Sequence, residues 1–196
     1  MRSEPRDPTS ASGGHVCPWW IIWTFDNPIR RLLQPPDRVL AGLVRAGDHC
    51  LDIGCGMGYF TIPMAAMVGE QGLVTALDVQ RRMLDGLMRR ARRRGLESRV
   101  RARLALEAGP LVEQPADFAL AFWVLHEVRD QSRLLRQLCD VLKPGARLLL
   151  AEPRLHVSGG AFAASVGRAL AAGFERVDGP AIALSRATLF TKRSIV

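Results

Sequence analysis

The amino-acid sequence predicts an α/β fold: a doubly wound, mostly parallel sheet of seven strands with an antiparallel last strand and helices on both faces. Three observations lead to it. Apolar strands alternate with helical segments along the 196-residue chain. A loop with glycine at every second position, Gly54-Cys55-Gly56-Met57-Gly58, follows the first strand. A carboxylate, Asp78, closes the second strand. Sheets of this kind bind ligands beyond the carboxyl ends of their strands, so these features mark one end of the molecule.

In chain order, residues 1–14 are polar and hold Pro5, Pro8, Gly13 and Gly14, the composition of a disordered tail. Residues 15–36 differ: three of the four tryptophans fall between His15 and Phe25. Burying such a side chain is worth roughly 1.5–3 kcal/mol, so the segment needs a surface to cover. It can form a lid over the site, pack into the core, or lie on a membrane interface. The main domain then spans 37–196. Asp37 can cap a helix over Arg38 to Val44, and His49 to Ile53 is the first strand. Tyr59 to Val68 is the first crossover helix and Leu73 to Leu77 the second strand. Gln80 to Arg94 is helical, with Met83, Leu84, Leu87 and Met88 on one face. Val100 to Leu106 alternates as a half-exposed strand does. Ala116 to Leu125 is, after Asp117, the continuous apolar run of a strand buried on both faces. A helix to Leu142 follows, then a strand from Arg147 to Ala151. Ala161 to Ala172 is helical, and Phe174 to Val177 and Ile182 to Phe190 are two late strands.

Composition narrows the classes. The formal net charge is +8, and Lys143 and Lys192 are the only lysines. A basic chain can attract nucleic acid, but these arginines are not interleaved with aromatics, which disfavours it as a partner. Cys17, Cys50, Cys55 and Cys139 form no CxxC pair and no zinc spacing, so no metal centre is expected. The thiols suit a reducing, cytoplasmic setting. No signal peptide is read at the start, and the apolar run from Val16 to Phe25 is too short to span a bilayer. Peripheral membrane contact stays open, as does the choice between monomer and homodimer.

Asp78 lies about 20 residues beyond the glycine loop, where a carboxylate can accept both ribose hydroxyls of an adenosine. The glycine spacing lacks the GxGxxG pattern that seats a pyrophosphate on a helix N-terminus. A ligand without phosphate therefore fits better than a dinucleotide.

Asp52-Ile53-Gly54-Cys55-Gly56-Met57-Gly58 resembles the glycine-rich motif of class I S-adenosylmethionine methyltransferases. Asp78 matches that family's ribose-binding acid. Ala116 to Leu120 and Leu125-His126-Glu127 resemble its strand-four motif, and Leu142 to Gly145 with Leu148 to Glu152 its strand-five motif. The resemblance is nearest the ubiquinone/menaquinone C-methyltransferases. It implies S-adenosylmethionine as cofactor, S-adenosylhomocysteine as product, and a small-molecule acceptor methylated by in-line displacement. It also implies cofactor contacts from Asp52, Gly54, Cys55, Gly56, Gly58, Tyr59, Asp78, Val79 and Trp123. Glu107 stands where many relatives place an adenine-binding Asp. The Asn-Pro-Pro-Tyr type motif of base methylation is absent.

Catalysis by such a site is mostly alignment, but a protonated acceptor also needs a base. His126 is the first candidate, since its intrinsic pKa suits proton transfer near neutrality. Packing on the cofactor is its structural alternative. Glu127 either orients His126 or starts the next helix. Glu152 and His156, after strand five, are candidates for the substrate side. So are His15, Cys17, Trp19 and Trp20; His15 with Cys17 can hold a soft metal or metalloid, or Cys17 is merely buried. Two other functions stay open: an RNA or protein methyltransferase, and a non-catalytic cofactor-binding module.

Overall fold

A computed structural model describes residues 28–105, 111–112 and 114–193. Two short helices come first, α1 (Pro28–Leu33) and α2 (Pro36–Val39). Then follow β1 (His49–Ile53), α3 (Thr61–Met67), β2 (Leu73–Asp78), α4 (Arg81–Arg93) and β3 (Val100–Leu104). The second half holds β4 (Ala116–Phe122), α5 (Gln131–Val141), β5 (Leu142–Pro153), α6 (Gly159–Ala171), β6 (Phe174–Val177) and β7 (Ser185–Lys192).

These strands make one seven-stranded sheet in the order β3-β2-β1-β4-β5-β7-β6. Neighbours from β3 to β5 are parallel, and β7 runs antiparallel to both β5 and β6. The order reverses between β1 and β4, which opens a crevice at their carboxyl ends. Successive residues of the central strands feed opposite cores. Cys50, Phe118, Leu120 and Leu149 pack on one face with α2, α3 and α4. Leu51, Ala119, Leu148 and Leu150 pack on the other with α5 and α6. This two-sided burial explains the apolar runs Phe118 to Phe122 in β4 and Leu148 to Ala151 in β5.

The structure corrects several boundaries. The helix expected over Arg38 to Val44 is a single turn, because Gly42 turns left-handed (φ 68°). Arg147 then donates to the carbonyls of Gly42 and Leu43. β4 stops at Phe122, short of Leu125, because Trp123 takes φ 59°, outside the extended region. β5 begins at Leu142, ahead of Arg147: Leu142 pairs with Ala116, and the irregularity before Arg147 passes through Gly145 (φ 75°). β7 begins at Ser185, later than Ile182, after a turn with Leu184 at φ 60°. No described helix is long and apolar enough to cross a membrane.

Candidate active site

The glycine loop leaves β1 at the crevice with Gly54, Gly56 and Gly58 all at positive φ (69°, 53° and 85°). Gly54 and Cys55 both donate to Leu77 O, at 2.8 and 3.0 Å, which ties the loop to the end of β2. Gly58 donates to Cys55 O, and Gly56 donates to Asp78 Oδ2 at 2.9 Å. These four amides are thus satisfied within the protein, so they offer no ring of donors to a phosphate. A side chain at Gly56 would meet nothing within 4 Å, so the loop is open on that side. Cys55 turns its side chain into the core; what it lends the loop is backbone.

Asp78 is 8% exposed, and its Oδ1 accepts the Gln80 N–H at 2.8 Å. Burial holds its pKa above the usual carboxylate range. Each carboxylate oxygen keeps acceptor capacity beyond its backbone bond. Next to it, Val79 is 55% exposed, an apolar surface beside a hydroxyl-binding acid. An open glycine, a buried carboxylate and a bare valine suit a nucleoside, which has two hydroxyls and an apolar base. The donor set therefore fits the adenosine part of S-adenosylmethionine.

Asp52 is buried on β1, and Thr61 Oγ1 donates to its Oδ2 at 2.5 Å. Burial pushes its pKa up to about 7, partly offset by the Thr61 bond and by the charge of Arg30. The folded protein therefore holds a proton that the unfolded chain releases near pH 4, and stability falls as pH rises through about 7. In denaturant titrations, Asp52→Asn is expected to gain on the wild type by about 2–3 kcal/mol between pH 5 and pH 8. A constant difference across that range would show that Asp52 is ionised throughout.

Trp123 and the 3-10 turn Leu125–Glu127 follow β4. Positive φ in a tryptophan costs roughly 1–2 kcal/mol, and such residues concentrate at functional sites. Its indole Nε1 donates to Ser185 Oγ at 2.9 Å. The Arg30 guanidinium lies 4.2 Å from the Tyr59 ring centre, 4.8 Å from Trp123 and 5.6 Å from Phe122. Tyr59 donates its hydroxyl to Gln34 O, and Gln34 donates to Ala183 O and Ser185 Oγ. Arg30, Gln34, Thr61 and Ser185 were not singled out by sequence reasoning; single polar residues in three separate segments carry no local signal.

His126 reaches Glu152 through Nδ1, a short contact, and its side chain is 26% exposed. Glu152 is 1% exposed and accepts the Leu125 N–H on its other oxygen at 2.8 Å. The Glu152 bond raises the His126 pKa above its ordinary value, against burial, with the charges of Glu152 and Glu127 adding to it. Glu152 is thus buried against the turn that carries His126, in hydrogen-bond contact with both Leu125 and His126. His156 is exposed, its ring centre 6.4 Å from that of His126. His15, Cys17, Trp19, Trp20 and Glu107 lie outside the described residues. Among the described residues, no group of three His, Cys, Asp or Glu side chains could hold a metal ion.

Residues 45–175 match the sequence profile of a family described as a methyltransferase domain. The chain belongs to this family, and its fold is that of S-adenosylmethionine-dependent methyltransferases. It is 32% identical over 114 residues to a demethylmenaquinone methyltransferase of Lactobacillus johnsonii, covering 56% of this chain and 45% of that one. It is 36% identical over 110 residues to the ubiquinone/menaquinone biosynthesis C-methyltransferase UbiE of Serratia proteamaculans, covering 56% and 44%. The chain thus spans less than half the length of these relatives. A solved SAM-dependent methyltransferase from Aquifex aeolicus superposes with a TM-score of 0.75 at 25% identity, over 89% of this chain and 97% of that one. A TehB-like methyltransferase from Corynebacterium glutamicum shares the fold, with a TM-score of 0.66 at 17% identity over 89% and 94%.

Proposed function

We propose that this chain transfers a methyl group from S-adenosylmethionine to a small aromatic acceptor with an ionisable hydroxyl, a quinol or phenol, using His126 as general base. The observation that carries the reading is the pairing of an open glycine loop and the buried Asp78 carboxylate bonded to it with a carboxylate-held imidazole after β4. The names of the two relatives, which denote quinone methylation, support the acceptor class.

When bound, S-adenosylmethionine supplies an electrophilic methyl on a sulfonium. The chain's residues do the rest. Gly56 leaves room for the nucleoside and Asp78 accepts its ribose hydroxyls. Asp52 serves the methionine end; burial favours its protonated form, while the Thr61 bond and the Arg30 charge favour the carboxylate. His126, with Nδ1 held by Glu152, takes the acceptor's hydroxyl proton at Nε2. The electron pair released makes the acceptor the nucleophile, and a ring carbon or the oxygen attacks in line. The methyl's bond to sulfur breaks as its bond to the acceptor forms, releasing S-adenosylhomocysteine; for carbon attack, the ring proton then passes to solvent water and the aromatic system is restored.

The lid role of residues 15–36 belongs to the same proposal. It is supported by Gln34, which pins the end of that segment to Ala183 and Ser185, and by Arg30, which lies over the crevice aromatics. The buried free thiols Cys50, Cys55 and Cys139 support a cytoplasmic setting.

Calorimetry with S-adenosylhomocysteine tests the cofactor half, with micromolar binding expected; no binding by the wild type would overturn it. A screen over quinols, phenols, thiols and metalloids with labelled S-adenosylmethionine then tests the acceptor. With the acceptor found, His126→Gln is expected to lower kcat by about 10²–10⁴-fold with little change in S-adenosylhomocysteine affinity. A variant of undiminished kcat would remove His126 as the base.

A further inference from the structure

We propose that Glu152 is the positioning residue of this site: it fixes the turn that carries His126 and holds the imidazole with Nε2 free to accept a proton. The inference rests on His126 acting as the base. Its ground is that one buried carboxylate meets two donors from consecutive residues. Oε1 accepts the Leu125 N–H and Oε2 lies in hydrogen-bond contact with His126 Nδ1, so backbone and side chain are aligned by one rigid group. Glu152 itself is set by β5, whose residues from Arg147 onward pair in register with β4 on one side and β7 on the other.

The same turn is clamped from the opposite side. Gln131 at the start of α5 donates to Leu125 O at 3.0 Å, and Ser165 and Arg168 of α6 both donate to Gln131 Oε1. Both backbone polar groups of Leu125 are therefore held by side chains from other elements. A structural carboxylate needs only a satisfied charge; here the partners are the residue next to the base and the base itself. The titratable groups facing His126 are Glu152 from β5, Glu127 from its own turn and His156 from the turn after β5. Glu152 meets His126 Nδ1 through Oε2.

The chemistry of glutamine makes the idea testable without knowing the acceptor. Glu152 is acceptor-only when ionised, and it receives two donors. Glutamine has one acceptor oxygen, so in Glu152→Gln either the Leu125 N–H or His126 Nδ1 meets an amide NH2 group. If the amide faces the ring, it donates to Nδ1 and drives the proton to Nε2, the wrong tautomer for a base at that nitrogen. The carboxylate's preference for imidazolium is lost in either arrangement.

The experiment is an NMR titration of the imidazole signals in the full chain, with His126→Gln assigning the resonance among the four histidines. In the wild type, neutral His126 is expected as the Nδ1–H tautomer, titrating above the 6.5 of a free imidazole. In Glu152→Gln, its proton affinity is expected to fall by at least tenfold, and the Nδ1–H tautomer to lose its dominance. The acid limb of kcat then moves to lower pH while kcat itself drops. An Nε2–H tautomer in the wild type would sink the proposal without any variant, so a poorly folding variant does not shield it. An unchanged midpoint in the variant would overturn it as well. Binding of S-adenosylhomocysteine by the wild type decides the cofactor reading separately.

Discussion

Gly54→Ala is expected to destabilise the protein by about 2–5 kcal/mol and to abolish measurable cofactor binding. Two costs add. Gly54 has φ 69°, a region that penalises any Cβ by roughly 1–2 kcal/mol. The new methyl would also lie 2.4 Å from Val124 Cγ2 and 2.7 Å from Val124 Cβ. Valine branches at Cβ and cannot swing aside by a rotamer change alone, so the backbone of residues 123–126 must move. That segment carries Trp123 and His126. One methyl group would therefore disturb the cofactor loop and the base together. Denaturant titration and S-adenosylhomocysteine calorimetry measure the two effects. A fully stable variant with intact binding would show that the loops from β1 and β4 are not in contact through Gly54. Gly56→Ala is a useful companion: its Cβ points into open space, so it should lower stability less while still obstructing the ligand.

Asp78→Ala is expected to weaken S-adenosylhomocysteine binding by 100-fold or more, since hydrogen bonds to a charged group are worth about 1.5–3 kcal/mol each and two ribose hydroxyls are involved. The variant also strands the Gly56 and Gln80 N–H groups that the carboxylate now receives. Adenosine alone separates the contributions. If Asp78 serves the ribose, adenosine binding falls by a similar factor; if only the methionine end suffers, the assignment is wrong. Affinity within twofold of wild type for both ligands would remove Asp78 from the site.

The strands β1 and β2, the glycine loop and Asp78 were legible because their signals are local. An apolar run, a turn and a terminal acid lie within a few residues of each other. The helix α4 was legible from its arginine-rich and apolar faces. The end of β4 was not, because Phe122-Trp123-Val124-Leu125 continues an apolar run without a break in composition. The break comes at Trp123, whose φ of 59° leaves the extended region right after the last bond of the β4–β5 ladder, Trp123 N–H to Ala151 O. The contact between Glu152 and His126 was not legible for the same kind of reason: the two are 26 positions apart, and only the β4–β5 pairing sets them against each other. Arg30 and Gln34 meet partners from the loop after β1, the end of β4 and the turn before β7.

The order of apolar strands, the glycine spacing and the acid after β2 are properties of short stretches, and by itself the sequence determined the fold class and the nature of the methyl donor. Which carboxylate holds His126, where Arg30 lies and why Gly54 admits no side chain were decided only by the tertiary structure. Those contacts join residues from different strands and loops. Their distances depend on sheet order and register, which no single segment encodes.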